Sequence, residues 1–160
     1  VLPESYRKVQ MTGNYEEFYN HLVAHLLHEG LIPHPPKVDL YADGYNKQCP
    51  EWYNRENGIG THGFTAPSPD KCQYANPPFT VAHVAKLLEY VTTADISIVI
   101  VLPDWLGRNT SKLAAAGLSK VGVYPAGNPL FSRVHPKGAE YPRLEGYKTR
   151  WAVHVWVKGR

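Results

Sequence analysis

The sequence predicts an α/β protein with a mostly parallel sheet and an antiparallel strand pair at its end. Three observations carry this. Ile96-Ser97-Ile98-Val99-Ile100-Val101-Leu102 is a β-branched run of strand length, the kind buried on both faces of a parallel sheet. Strand-like and helix-like segments alternate around it, as in a sheet wrapped by helices. Trp151-Ala152-Val153-His154-Val155-Trp156-Val157 has the period of two of a final strand and directly follows another strand candidate, which gives the antiparallel pair.

The first helix is expected from Tyr15 to about Glu29. Asn14 with Glu17 three residues later forms a capping box, Phe18, Leu22, Val23, Leu26 and Leu27 recur at helical spacing, and Gly30 ends the run. His21, His25 and His28 fall on neighbouring faces. No carboxylate or cysteine completes a metal set with them, so they read as partly exposed helix residues and no metal is expected. Pro33, Pro35 and Pro36 forbid helix, and Val38 to Tyr41 reads as a short strand followed by the turn Ala42-Asp43-Gly44-Tyr45. From Asn46 to Asp70 the chain is irregular and rich in Asn, Gly, Pro and aromatics, the character of a functional loop. Cys72 to Ala75 is a second short strand, closed by Pro77-Pro78. Thr80 caps a helix running to about Thr92, with Val81, Val84, Ala85, Leu87, Leu88 and Val91 on its buried side. After the central strand come Pro103-Asp104-Trp105, a short helix from Thr110 to Ala116, a strand from Lys120 to Tyr124 and a Gly/Pro loop before Trp151.

The chain has 160 residues, 43% hydrophobic and 19% charged, enough for one domain with a core and wrong for a disordered chain or a coiled coil. It begins at Val1 rather than Met, as expected of a processed product or an excised domain. No apolar run reaches bilayer-spanning length. A formal charge of +3, with 8 His in reserve at lower pH, permits nucleic-acid binding without demanding it. Cys49 and Cys72 are too few for a disulfide scaffold and are expected to be reduced thiols in an intracellular protein of the cytoplasm or nucleus.

The chemistry is concentrated in Tyr74-Ala75-Asn76-Pro77-Pro78-Phe79-Thr80. Two prolines fix two φ angles and push the residues before them out of the helical region, giving a stiff extended turn with exposed carbonyls. Ligands of open α/β sheets bind beyond the carboxyl ends of the strands. Three such ends carry polar or aromatic residues here: Asp39 to Ala42, Asn76 to Phe79, and Pro103 to Trp105. An amino group on a flat ring is a poor nucleophile because its lone pair is delocalised. Two acceptors that draw its N–H bonds out of the ring plane relieve this. Asn76 offers an amide oxygen, Pro77 a carbonyl that cannot swing away, and Phe79 a face for stacking, which contributes about 1–3 kcal/mol per base. No strong base is needed, since the proton becomes acidic only after alkylation. The constellation suits alkylation of an exocyclic amine. The competing structural reading is a strand-ending turn whose Phe79 is core.

Asn76-Pro77-Pro78-Phe79 resembles the (D/N)PP(Y/F/W) motif of S-adenosylmethionine-dependent amino-methyltransferases, chiefly the N6-adenine class. The ordered blocks "VDLYADGYNKQCPEWY", "GFT", "YANPPF" and "IVIVLPDW" are similar to the Dam-type N6-adenine methyltransferases of phages and DIRS-type retroelements, and to the cap-specific adenosine N6-methyltransferases of mRNA. The resemblance covers about Lys37 to Trp105 well and the remainder loosely. It implies a single Rossmann-like methyltransferase domain over residues 1–160 and S-adenosylmethionine as cofactor. By position, Asn76, Pro77, Pro78 and Phe79 match the catalytic motif. Asp39, Tyr41, Ala42 and Asn46 match the block lying against the donor. Phe64 matches an aromatic position read as a wall of the donor's adenine pocket, and Thr12-Gly13 a donor-contacting segment before the first helix. Two departures stand out: only "YADG" occupies the place of a Gly-rich turn, as in the Dam-type and cap-type subgroup, and His62 stands where the retroelement pattern tends to have Asp.

The function expected is methylation of the N6 amine of adenine in nucleic acid, DNA favoured and RNA possible. Single-stranded substrate or an RNA 5′ end avoids the few kcal/mol of unstacking that a duplex demands. Trp105, Arg108 and Arg133 are the substrate-binding candidates. Lys47, Arg55 and Lys112 are available to steer phosphates, and Tyr45, Trp52 and Tyr53 to stack on bases. Without a separate target-recognition domain, specificity is expected to be low or supplied by a partner or a larger polyprotein. Two alternatives stay open: an N-methyltransferase acting on a protein amide or a small amine, and a non-catalytic nucleic-acid-binding or assembly module of the same fold.

Overall fold

In the computed structural model, residues 15–44, 46–128, 130–133, 135–138, 140–142 and 144–159 are described. The expected Asn14 cap, the Thr12-Gly13 segment and Tyr45 lie outside them. In chain order the elements are α1 (Tyr15–His28), β1 (Val38–Asp39), β2 (Glu51–Trp52), β3 (Gln73–Ala75), α2 (Val81–Thr93), β4 (Ile98–Pro103), a 3-10 helix (Asp104–Asn109), α3 (Thr110–Ala115), β5 (Ser119–Tyr124), β6 (Phe131–Arg133), β7 (Leu144–Tyr147) and β8 (Val153–Lys158).

Among the described residues, six strands form one sheet in the order β2-β1-β3-β4-β8-β5, and β6-β7 form a separate antiparallel hairpin. β2, β1, β3 and β4 are mutually parallel, whereas β8 runs antiparallel to both β4 and β5. The expected mixed α/β sheet is present. The last strand is inserted between β4 and β5 and makes β5 the edge.

Strand alternation sorts the core into two layers. Val99 and Val101 of β4, with Val153, Val155 and Val157 of β8, meet Phe18, Leu22 and Leu26 of α1. Ile98, Ile100 and Leu102 point the other way, with Val38, Leu40 and Trp156, against Val84, Leu87 and Val91 of α2 and Leu113 of α3. β4 is therefore buried on both faces, as its unbroken apolar run requires.

The helix ends follow local chemistry. Gly30 adopts φ 69°, with its N–H on Leu27 O and the Leu31 N–H on Leu26 O, a Schellman closure that needs a residue at ease with positive φ. Thr80 caps α2 as expected, its Oγ1 accepting from the His83 N–H at 3.2 Å. At the other end the Lys158 ammonium donates to Val91 O and Ala94 O at 2.6 and 3.1 Å, placing a cation on the carbonyls of the α2 C-terminus.

Several local expectations shift. β8 starts at Val153 rather than Trp151: its register with β4 ends at the Val153–Pro103 pair, and at Asp104 the chain enters the 3-10 helix. β1 shortens to two residues, although the Leu40 N–H still bonds Tyr74 O at 2.9 Å. Val81, at 71%, and Ala85 are exposed rather than buried, so the buried side of α2 narrows to Val84, Leu87 and Val91. His25 is buried, not partly exposed, and His21 Nδ1 meets the Tyr124 hydroxyl at 3.1 Å. β2, the 3-10 helix and the β6-β7 hairpin were not foreseen. Cys49 and Cys72 are free buried thiols. Among the described residues no helix is long and apolar enough to cross a membrane.

Candidate active site at the carboxyl edge of the sheet

The parallel register sets Asp39 beside both Trp52 and Tyr74, and Ala75 beside Ile100, so the carboxyl ends of β2, β1, β3 and β4 open onto one edge. Asp39 to Ala42, Asn76 to Phe79 and Asp104-Trp105 all leave the sheet there. The loop after β1 is tied down: Ala42 N–H bonds Tyr53 O at 2.9 Å, and Tyr53 N–H bonds Asp39 O at 2.9 Å.

Asp39 is fully buried and shapes this loop from within. Its Oδ1 accepts from the Tyr41 N–H at 3.3 Å and its Oδ2 from the Gln48 N–H at 3.2 Å. Burial outweighs these two long bonds and pushes its pKa up to about 7. Both carboxylate oxygens are thus engaged by backbone. Asn46 closes the same loop, its amide oxygen accepting from Asp43 N–H at 2.7 Å while its own N–H bonds Asp43 Oδ1 at 2.8 Å. Tyr41 is half-buried, and burial holds its phenol protonated well above the usual range.

In the turn after β3, Pro77 is buried, Pro78 exposed, and Asn76 and Phe79 half-buried. The Thr80 N–H folds back onto Pro78 O at 2.8 Å. Among the described residues no donor reaches the Pro77 carbonyl. Asn76 leaves β3 two residues after Tyr74, whose side chain joins the α1 layer of the core. The Tyr15 hydroxyl meets the Tyr74 hydroxyl at 2.8 Å.

Phe79 belongs to an aromatic cluster. Its ring stands edge-on to Phe131 (centroids 6.3 Å apart) and to Trp151 (6.5 Å), and Trp151 stands edge-on to Trp105 at 5.9 Å. Trp105 is 37% exposed, so the cluster reaches solvent. The Asp104 N–H on Ala152 O at 2.9 Å pins the start of the 3-10 helix to the entry of β8.

The catalytic-motif residues, the post-β1 block and Trp105 therefore share one edge. Phe64 is placed differently. It packs against Tyr53 and against Tyr90 of α2, both with centroids at 5.4 Å, and Tyr90 donates to the buried Gln73 amide oxygen at 2.8 Å. This puts Phe64 on the α2 face. Arg108 lies in the 3-10 helix and Arg133 in β6. Lys47 stands over the Trp52 ring at 3.8 Å, a cation–π contact beside the edge.

Sequence reasoning missed Tyr15, Tyr74, Phe131 and Trp151. The spacing of Tyr74 and Asn76 was a usable signal, since residues two apart in an extended chain share a face. Nothing local marks Tyr15, Phe131 or Trp151, which reach the edge from α1, the hairpin and the entry of β8. Compared with protein families, curated proteins and solved structures, the chain matches none.

Proposed function

We propose that this edge is the active site of an S-adenosylmethionine-dependent methyltransferase of Rossmann-like fold that methylates the N6 amine of adenine in nucleic acid, DNA favoured. The observation that carries the reading is the Asn76-Pro77-Pro78-Phe79 turn. It joins an amide, a Pro77 carbonyl that no described donor reaches and a half-buried ring at the carboxyl end of a central parallel strand.

The residues present fit the cofactor. Tyr41, Ala42 and Asn46 would hold it along the loop that Asp39 locks, with Tyr53, bonded to Asp39 and Ala42, offering aromatic surface beside them. When bound, the sulfonium group supplies an electrophilic methyl. The chain's own residues do the rest. Asn76 Oδ1 and Pro77 O accept the two amine N–H bonds and draw the lone pair out of the ring. Phe79, backed by Trp151 and Phe131, stacks on the base and sets its distance. Transfer would form the N–C bond as the donor's S–C bond breaks to leave a neutral thioether, and the amine nitrogen, now positive, would shed a proton to water. Tyr15, Tyr74 and Tyr41 stay protonated because burial holds their phenols up, so none of them takes that proton. Exposed Lys47, Arg55 and Lys112 are the cations available for phosphates.

The test incubates the protein with labelled donor and duplex DNA, single-stranded DNA, uncapped RNA and capped RNA, followed by nucleoside mass analysis. N6-methyladenine is the expected product. Asn76→Ala should abolish transfer while leaving donor binding in calorimetry largely intact; near-normal turnover by this variant overturns the mechanism. Absence of any heat with the donor or its demethylated product would favour a non-catalytic module of the same fold.

A further inference from the structure

We infer that the β6-β7 hairpin is a docking arm for single-stranded nucleic acid, with Tyr141 at its tip stacking a base next to the reacting one and Lys137 meeting a phosphate; this rests on the nucleic-acid part of the reading above. The charge of the chain is placed for that role. The segment from Phe131 to Trp151 holds five Arg or Lys and two Glu, an excess of three, which is the whole of the chain's formal +3. The rest of the chain is therefore balanced, and the surplus that attracts phosphates sits on and beside one hairpin. Lys137, at the tip, and Lys148 and Arg150, in the link from β7 to Trp151, are exposed.

The hairpin is anchored at the proposed site and ordered at its tip. Phe131, at the start of β6, stands edge-on to Phe18 of α1 at 5.4 Å and to Phe79 at 6.3 Å. His135 follows it by four residues, a reach of up to about 14 Å. At the tip the His135 and Tyr141 rings stack with centroids 5.1 Å apart and planes at 26°. The Lys137 N–H donates to His135 Nδ1 at 3.0 Å, the Gly138 N–H to His135 O at 2.9 Å and the Tyr141 N–H to Gly138 O at 3.3 Å. These short-range bonds arrange the tip before any ligand arrives, which lowers the ordering cost of binding. Tyr141 rests on His135 yet stays 43% exposed. The Lys137 ammonium stands 5.9 Å from the Tyr141 centroid, the outer limit of a cation–π contact, so a phosphate competes well for it. An exposed aromatic ring takes a base that is not already held in a duplex stack, which selects single strands.

The test is fluorescence anisotropy with a labelled, adenine-containing single strand of about 12 nucleotides, as DNA and as RNA, and with the matching DNA duplex. Wild type should bind the single strand more tightly than the duplex, and the tighter of the DNA and RNA forms names the nucleic acid. Tyr141→Ala should weaken single-strand binding about tenfold, and Tyr141→Phe should retain it. Lys137→Gln should make the slope of log affinity against log salt shallower by about 0.7. Lys71→Gln, at a lysine paired with Glu51 ahead of β3, should leave the single-strand preference intact. A wild-type preference for the duplex, or single-strand binding by Tyr141→Ala equal to wild type, overturns the inference. The methyl-transfer reading is decided separately. If Tyr141→Ala binds like wild type while wild type makes N6-methyladenine, only the docking arm falls. If the variants lose binding as expected and no methylated nucleoside forms, only methyl transfer falls. A wild type that binds no nucleic acid overturns both.

Discussion

Replacing Asp39 by Asn gives the pH dependence of stability a definite sign. Asp39 is fully buried, and the groups bonding its carboxylate are two backbone N–H donors at 3.2 and 3.3 Å. Bonds this long stabilise the charge less than burial penalises it, so the pKa rises from 3.8 to about 7. A carboxyl raised on folding binds its proton more tightly in the native state. Its contribution is therefore fully present below the unfolded value and is lost as pH rises toward the folded one. Between pH 5 and pH 8 that loss amounts to roughly 2.5 kcal/mol. The amide of the Asp39→Asn variant would not titrate. Urea unfolding followed by tryptophan fluorescence at pH 5, 6, 7 and 8 should show wild type losing roughly 2.5 kcal/mol against Asp39→Asn across this range. His21, His25 and His154, whose pKa values burial lowers, impose the opposite trend. Both proteins share them, so they cancel in the difference. A wild-type-minus-variant difference that stays flat within about 0.5 kcal/mol would refute the reasoning, because it would mean that the two N–H bonds match or outweigh burial.

Three further outcomes follow from the same geometry. Thr80→Ala removes the α2 cap and should cost about 1 kcal/mol in denaturant unfolding, with Thr80→Ser restoring it. Cys49 and Cys72 should resist Ellman's reagent at pH 8 in the native protein and react fully in urea, because both are buried and burial pushes the Cys49 thiol up to about 12. Phe79→Ala should weaken substrate binding by about 1–3 kcal/mol, the contribution of a stacked base, while Phe79→Tyr is tolerated, measured as KM for an adenine-containing oligonucleotide.

How far the sequence could be read depends on the range of the interaction that shapes each part. β4 was legible because its burial on both faces writes an unbroken β-branched run. α2 was legible because Thr80, Val84, Leu87 and Val91 follow local rules. β2 was invisible: Glu51 and Trp52 pair with Val38 and Asp39 only through tertiary register, and nothing in a two-residue strand announces it. Asp39 illustrates the same limit within the site. The resemblance placed it against the donor, yet only the fold reveals that backbone N–H groups from Tyr41 and Gln48 occupy both of its oxygens. Phe64 was marked as an aromatic of the site, but its side of the sheet depends on Tyr90, 26 residues further on, which no local pattern connects to it.

The insertion of β8 between β4 and β5 ties the site to the whole chain. Because β8 runs against β4, its first residues emerge at the edge where β3 and β4 end, and Trp151 meets Phe79 and Trp105 there. Had the last strand been added parallel, Trp151 would lie at the opposite edge and Phe79 would lose one of its two aromatic supports. The aromatic platform thus combines a turn from the middle of the chain, the 3-10 helix after β4 and the entry to the final strand. Its contacts are long-range in sequence, and such contacts form late because loop-closure entropy must first be overcome. The stiffness of Pro77-Pro78 answers this. It fixes the path of the turn locally, so that less of the ordering of Phe79 is left to its long-range contacts with Phe131 and Trp151.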